Sequence, residues 1–425
     1  MMSRNRTPIV LFVVLSILAF LPTQVFASAF GVRESSTVST GMMHATTARL
    51  DTPETLFYNP AGLALLTKTE LSIGVQGIYG SFNYSDPDTD GGGAADNATG
   101  TALIPIPNLS MAYAAGPLTV GLGVHAPYGL KLVWPEEFAG DHIVQMTHLK
   151  VPHTCLGVGF KVAKGLYLGV SGQVTVSPDP RAFTANVELE KDLGILSGDL
   201  NGEAIGFGGT VGLMYRPNST FFVGLSYKSP VKLEFEGEST KTTAGDTEPF
   251  ETSPILAKIS MPDEINVGIG FKPNDDWYVA LDAGMSKWSV LPEIVITDTN
   301  IDDHLVGVSP MNLEWGDGYF FRTGAQWETS ETLQIRFGAG YEITPIPIET
   351  LGPLLPDSNR IDLSAGLTWK QSDNFAIDAS LMYVKFLERT ADAASGNEYA
   401  VSNPSFEGTY NTTAVLFGAN FRYTF

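Results

Sequence analysis

The chain has 425 residues, with 25 lysines and arginines against 46 aspartates and glutamates, a formal net charge of −21. That balance excludes nucleic acid as a partner, because phosphates call for basic patches. Cys155 is the one cysteine, so neither an intrachain disulfide nor a cysteine-built metal site can form.

The N-terminus reads as a secretory signal over residues 1–27. Arg4 and Arg6 make a basic start, residues 9–21 an apolar run, and Pro22 precedes a small-residue exit at Ala27-Ser28-Ala29. Cleavage is expected after Ala27 or Ala29. The apolar run is short for a membrane anchor, and no later run reaches the ~18 apolar residues of a spanning helix.

Residues 28–68 scarcely alternate and are rich in Ser, Thr, Gly and Pro, so they read as an irregular compact insert. Their centre is Tyr58-Asn59-Pro60-Ala61-Gly62. Pro60 has no N–H and biases Asn59 to an extended backbone, while the Asn59 side chain suits a turn.

From residue 69 to residue 425 the chain repeats alternating strands. In the last of them Val415, Phe417, Ala419, Phe421, Tyr423 and Phe425 share one face, against Asn420, Arg422 and Thr424 on the other. Alternation alone also fits a soluble sandwich. The strands are long, however, and aromatics gather near their ends at Tyr79, Phe82, Tyr84, Trp277, Trp288, Trp327 and Phe425, as interfacial girdles require. Six short links (115–118, 164–165, 216–219, 273–276, 329–330, 371–374) interleave with seven long ones (85–103, 134–142, 177–203, 237–254, 297–316, 345–358, 389–408). This predicts a 14-stranded antiparallel transmembrane β-barrel at residues 69–425, with short turns periplasmic and residues 28–68 as a plug inside it. An irregular stretch interrupts the third strand at His125-Ala126-Pro127-Tyr128-Gly129-Leu130. Pro127 cannot donate to a ladder and Gly129 admits a bulge, so an inward kink is read here rather than an ordinary strand end before Trp134.

Other constellations read as structural. Asp86, Asp88, Asp90 and Gly91 look like half a calcium loop, but Asn97 stands where the closing Glu belongs. His142, His148 and His153 do not share one strand face, so they read as scattered rim histidines. No Ser, His and acid are spaced as a catalytic set, and no catalytic residue, metal or cofactor is expected.

The chain resembles the FadL-type outer-membrane transporters of long-chain fatty acids and other hydrophobic compounds. The resemblance rests on motifs in order: Ser28-Ala29-Phe30-Gly31 as the mature start, Asn59-Pro60-Ala61 as the plug motif, Asn108 to Tyr113, Pro127-Tyr128-Gly129, Tyr227-Lys228-Ser229-Pro230-Val231, Met261-Pro262-Asp263-Glu264 and Leu416 to Phe421. It implies a monomeric outer-membrane barrel whose N-terminal hatch blocks the straight path. Hydrophobic molecules, foremost long-chain fatty acids, would be captured among the extracellular loops, pass to a pocket beside the hatch and leave sideways at Pro127-Tyr128-Gly129. Outer-membrane lipid and lipopolysaccharide would surround the wall, and the terminal Phe425 resembles the signal read by the barrel assembly machinery. A fatty-acid carboxylate needs a basic partner, and Arg181, Arg360 and Lys385 are the candidates. Fatty-acid members place a basic residue near the position of Met311; its absence here keeps neutral hydrocarbons open as substrates. The alternatives are a general diffusion porin or adhesive barrel and, third, an outer-membrane lipid hydrolase.

Overall fold

The computed structural model describes residues 29–86, 97–135, 138–140, 144, 146–177, 183–187, 195–243, 251–300, 303–304, 311–399 and 407–425. Period-two alternation becomes strands in nearly all of it: β1 (Glu70–Ser85), β2 (Asn97–Ala115), β3 (Leu118–Val133), β4 (Met146–Ala163), β5 (Leu166–Ser177) and β6 (Ile195–Tyr215). Two strands are broken by proline: β7 runs as Phe221–Lys228 and Val231–Thr243, and β8 as Glu251–Met261 and Glu264–Phe271. The wall continues with β9 (Trp277–Ser286), β10 (Gly318–Glu328), β11 (Leu333–Ile343), β12 (Arg360–Lys370), β13 (Phe375–Phe386) and β14 (Gly408–Thr424). Each strand pairs with its chain neighbours, and β14 pairs with β1 from Glu70↔Thr424 to Ser85↔Thr409. The described residues therefore close into the expected 14-stranded antiparallel barrel, which leaves no outer edge strand for lipid to strip of hydrogen bonds.

The two faces of the wall explain its solvent. Ile73, Tyr79, Phe207, Leu363, Trp369, Leu381 and Phe421 stand exposed on the outside, a continuous apolar surface that water would not tolerate. Their strand neighbours Gln76, Asp362, Thr368, Asp378 and Asn420 are buried inside. Among the described residues no helix is long and apolar enough to cross a membrane. Trp277 and Trp327 stack 5.5 Å apart at the short-turn end, as a girdle should. Three of the expected girdle aromatics are not in it: Tyr84 and Trp288 are buried inside the barrel, and Phe82, on Tyr84's inward face, packs against the same cluster. Residue type marks an aromatic, but only strand parity and loop path decide which side it faces. The strands also run further into the long links than alternation suggests, since β2 begins at Asn97 and β7 reaches Thr243. Ladder pairing needs no lipid-facing apolar residue, so hairpins extend past the alternating zone.

Residues 29–68 lie against the inner face of the wall. Helix α1 (Thr37–Gly41), capped by Ser36, sits beside β11 to β14. Helix α2 (Thr55–Tyr58) runs into a 3-10 helix, Pro60–Leu65, which packs against β3 to β6. These helices are too short to leave a periodic trace in the sequence.

The lumen has two halves. At the short-turn end the wall turns in Ser72, Gln76, Asn108, Ser110, Gln173, Asp282, Arg322, Asp378 and Asn420. Towards the long loops β3, β4, β7 and β8 turn in Leu130, Leu132, Leu149, Val151, Leu233, Phe235, Ile255 and Ile259. Loop residues Trp288, Leu291, Leu313, Trp315, Leu351 and Leu355 fold down into that apolar chamber and join one cluster with it.

Candidate functional site

The site is built where these halves meet, around breaks in three strands. β2 and β3 pair at Thr101↔Val133 and again from Leu109↔Val124 onwards, with no pairing between. The ladder from β3 to β4 shifts register between His125 and Tyr128, around Pro127. The wall is thus open between residues 102–108 of β2 and 125–132 of β3.

Sequence chemistry accounts for an opening that does not reseal. β2 pairs without interruption with β1, including Gly77↔Pro105 and Val75↔Pro107. A proline cannot donate to a ladder, so an unbroken register with β1 turns both proline nitrogens towards β3. The β2 edge at the opening therefore lacks two of the N–H groups that pairing with β3 would use. This pair of prolines, spaced by two within a strand, is a signal that the sequence reading passed over.

The N-terminal segment takes up the vacated edge of β3. Tyr128 already pairs with Val151 of β4, and on its other side bridges to Gly31. The Val32 N–H donates to the Pro127 carbonyl at 2.8 Å, and the Gly129 N–H to the Phe30 carbonyl at 3.1 Å. Tyr128 is buried; its hydroxyl donates to the Pro262 carbonyl (3.3 Å) at the break in β8, and its ring meets Trp288 edge-on at 6.2 Å. Phe30 packs edge-on against Trp288 at 5.7 Å.

Beside the break lies a small, partly open cavity. Arg33, His44, Tyr58, His125, Ser226, Lys228, Glu264 and Arg322 supply its polar lining, and Pro127, Tyr128, Pro262 and Trp288 its apolar side. Arg33 donates to Glu264 at 2.5 Å and to Ser286 at 3.0 Å. Glu342 takes Arg360 at 2.7 Å and pairs with Arg322 as well. Burial opposes the Arg33 charge, and Glu264 and Glu342 outweigh it and raise its pKa. His44, 3.4 Å from Glu34, is held below its ordinary pKa, chiefly by burial.

The Asn59-Pro60-Ala61 stretch sits deeper, towards the short turns. Asn59 donates through Nδ2 to the carbonyls of Thr47 (2.8 Å) and Leu213 (3.2 Å), and its Oδ1 accepts the Ala61 N–H at 3.2 Å. Pro60 opens the 3-10 helix with its missing N–H where no partner is needed. The wall yields space for this stretch at Gly169 and Gly212. A Cβ on Gly212 would come within 2.0 Å of Asn59 Oδ1, and one on Gly169 within 2.1 Å of the Pro60 backbone.

Of the three basic candidates, the two that lie among the described residues do not line the cavity. Arg181 lies outside the described residues. Arg360 is committed to Glu342 and to Asp362 (3.4 Å). Lys385 Nζ donates to Asn411 at 2.6 Å. His142 and the calcium-like Asp88, Asp90 and Gly91 also fall outside the described residues, and among those described no three His, Cys, Asp or Glu side chains are placed to hold a metal ion. Lys228, quoted above within the Tyr227-Lys228-Ser229-Pro230-Val231 motif, and Ser226 do line the cavity, but neither carried a ligand-binding signal beyond strand parity.

Known proteins share this fold. The chain is 22% identical over 454 residues to the long-chain fatty acid transport protein of Escherichia coli K12, with 96% of each chain covered. It is 22% identical over 448 residues to outer membrane protein P1 of Haemophilus influenzae, covering 94% of this chain and 95% of that one. Among solved structures, a Pseudomonas aeruginosa FadL homologue superposes with a TM-score of 0.77 at 15% identity, covering 93% and 99% of the two chains. The Pseudomonas putida toluene transporter TodX gives 0.71 at 14% identity, covering 95% and 99%. The model of the family described as outer membrane protein transport protein (OMPP1/FadL/TodX) matches residues 18–425. A multi-strand barrel with this match is a transport channel of the outer membrane and not an enzyme, and the chain belongs to that family.

Proposed function

We propose that this barrel takes up long-chain fatty acids and related hydrophobic molecules, with residues 29–68 acting as the plug and Pro127-Tyr128-Gly129 as a lateral gate. The observation that carries the reading is the unpaired stretch of wall between β2 and β3, beside a cavity whose other neighbour is an apolar chamber. A hydrophobic solute entering among the loops stays out of water in that chamber, which is favourable by roughly 25 cal/mol per Å² of apolar surface. Below it the lumen is filled by the buried N-terminal segment, with Asn59 bonded to the wall. The straight path is closed to it, so the side opening offers a way into the bilayer. Uptake of radiolabelled oleate by cells that carry this chain as their sole such transporter tests the reading. Replacing Pro127 and Gly129 with valine is expected to abolish uptake while the barrel still folds, seen as heat-modifiable migration in gels. Undiminished uptake by the folded variant overturns the lateral route. A large, steady conductance of the wild type in planar bilayers would favour an open diffusion pore instead.

A further inference from the structure

We propose that Lys228, with Ser226 and His125, forms an anion-binding subsite in the cavity beside the β3 break, and that it takes the carboxylate of a fatty acid. The inference rests on the transport reading above and deepens it. The other ionic groups around the cavity are engaged with one another. Arg33, Arg322 and Arg360 face Glu264, Glu342 and Asp362 in direct pairs. The Glu34 carboxylate accepts the Arg33 N–H at 2.8 Å and lies 3.4 Å from His44. Lys228 is left over: it lines the cavity, and its ammonium makes no hydrogen bond or ion pair within 4 Å to any described residue. Glu264, opposite it in the ladder, spends its carboxylate on Arg33 (2.5 Å), Asn266 (2.9 Å) and Ser286 (3.1 Å).

The neighbouring donors are unpartnered too. Ser226 lies two residues before Lys228 on the same inward face, lines the same cavity, and its Oγ is buried without a partner. His125 sits across the cavity with Nδ1 2.9 Å from Ser35 Oγ and with Nε2 buried and unpartnered. With the Ser35 hydroxyl donating to Nδ1, the imidazole carries its proton on Nε2 and offers a donor. An ammonium, a hydroxyl and an imidazole N–H around one cavity, with no acceptor assigned to them, suit a carboxylate. The apolar end of such a ligand has Tyr128 and Trp288 on the cavity's other side, and beyond them the apolar chamber. The cation that position 311 does not supply is thus provided from β7.

Binding of oleate and of methyl oleate to the purified full barrel in detergent tests this, because the ester keeps the tail and removes the charge. Lys228→Gln is expected to lower oleate affinity about tenfold relative to methyl oleate, the scale of one charge-assisted contact, and Lys228→Arg to restore most of it. Ser226→Ala should give a smaller loss of the same sign. An unchanged oleate-to-ester ratio in Lys228→Gln, or an equal fall for both ligands, overturns the subsite while leaving hydrophobe transport standing. Failure of the wild type to bind either ligand overturns the transport reading and the subsite with it.

Discussion

On β7, Ser226 and Lys228 face the lumen before the break at Ser229-Pro230, whereas Val231, Leu233 and Phe235 face it after. The outer face changes as well, from Phe221, Val223, Leu225 and Tyr227 to Lys232, Glu234 and Glu236, but the surroundings outside do not set which groups the lumen side needs. What each half must accommodate does. The half near the short turns holds a folded segment of chain, with backbone and side-chain polar groups that water cannot reach. Each needs a partner, and the wall supplies them: Thr47 N–H to Asp282, Asn59 to the Leu213 carbonyl, Asn420 to Glu54. The half near the long loops holds loop side chains such as Trp315 and Leu351, which need only apolar neighbours. An occupant that can be displaced by a hydrophobic solute is held by contacts without direction. An occupant that must stay is held by hydrogen bonds and ion pairs.

The largest expected effect lies in the polar half. Glu342→Gln leaves the buried Arg322 and Arg360 short of a carboxylate and should destabilise the barrel by about 3–5 kcal/mol. Loosening of the N-terminal segment should then appear as raised ion conductance in planar bilayers. In the apolar half, Ile259→Ser removes buried methyl groups and should cost about 2 kcal/mol by denaturant midpoint. It should weaken oleate uptake and leave conductance low. If Ile259→Ser opened the pore as Glu342→Gln does, the two halves would not be doing separate tasks.

The smallest effect is pH-dependent. Burial pushes the Glu54 carboxyl up, although Ser72 and Asn420 both donate to it. The folded lumen thus favours the neutral form. That contribution is complete in acid and is lost as pH rises through the raised value. Glu54→Gln keeps a neutral side chain at all pH, so the thermal stability of the variant relative to wild type should rise as the pH climbs through the range above the ordinary carboxylate pKa. A difference that does not change over that range would mean that the N-terminal segment tolerates the charge.

Much of this was legible in the residues. Alternation in Phe417, Phe421 and Tyr423 against Asn420 and Arg422 needs no tertiary information, because strand geometry sends neighbours to opposite faces. Short and long links set the strand number for the same local reason. Pro127 and Gly129 announce a break in β3 because a missing N–H and a missing Cβ act on the backbone where they stand. Pro105 and Pro107 carry an equally local signal, yet its meaning depends on β1 lying on one side and β3 on the other.

The barrel, the irregular N-terminal insert and the place of the β3 break follow from backbone stereochemistry along the chain. Which charges are spent and which are left depends instead on the closed fold. Arg360 and Lys228 are alike as cations on inward faces of strands, but Arg360 lies within reach of Glu342 and Asp362, whereas Lys228 faces a cavity. Pairing depends on distances between strands far apart in sequence, and closure of the ring sets those distances.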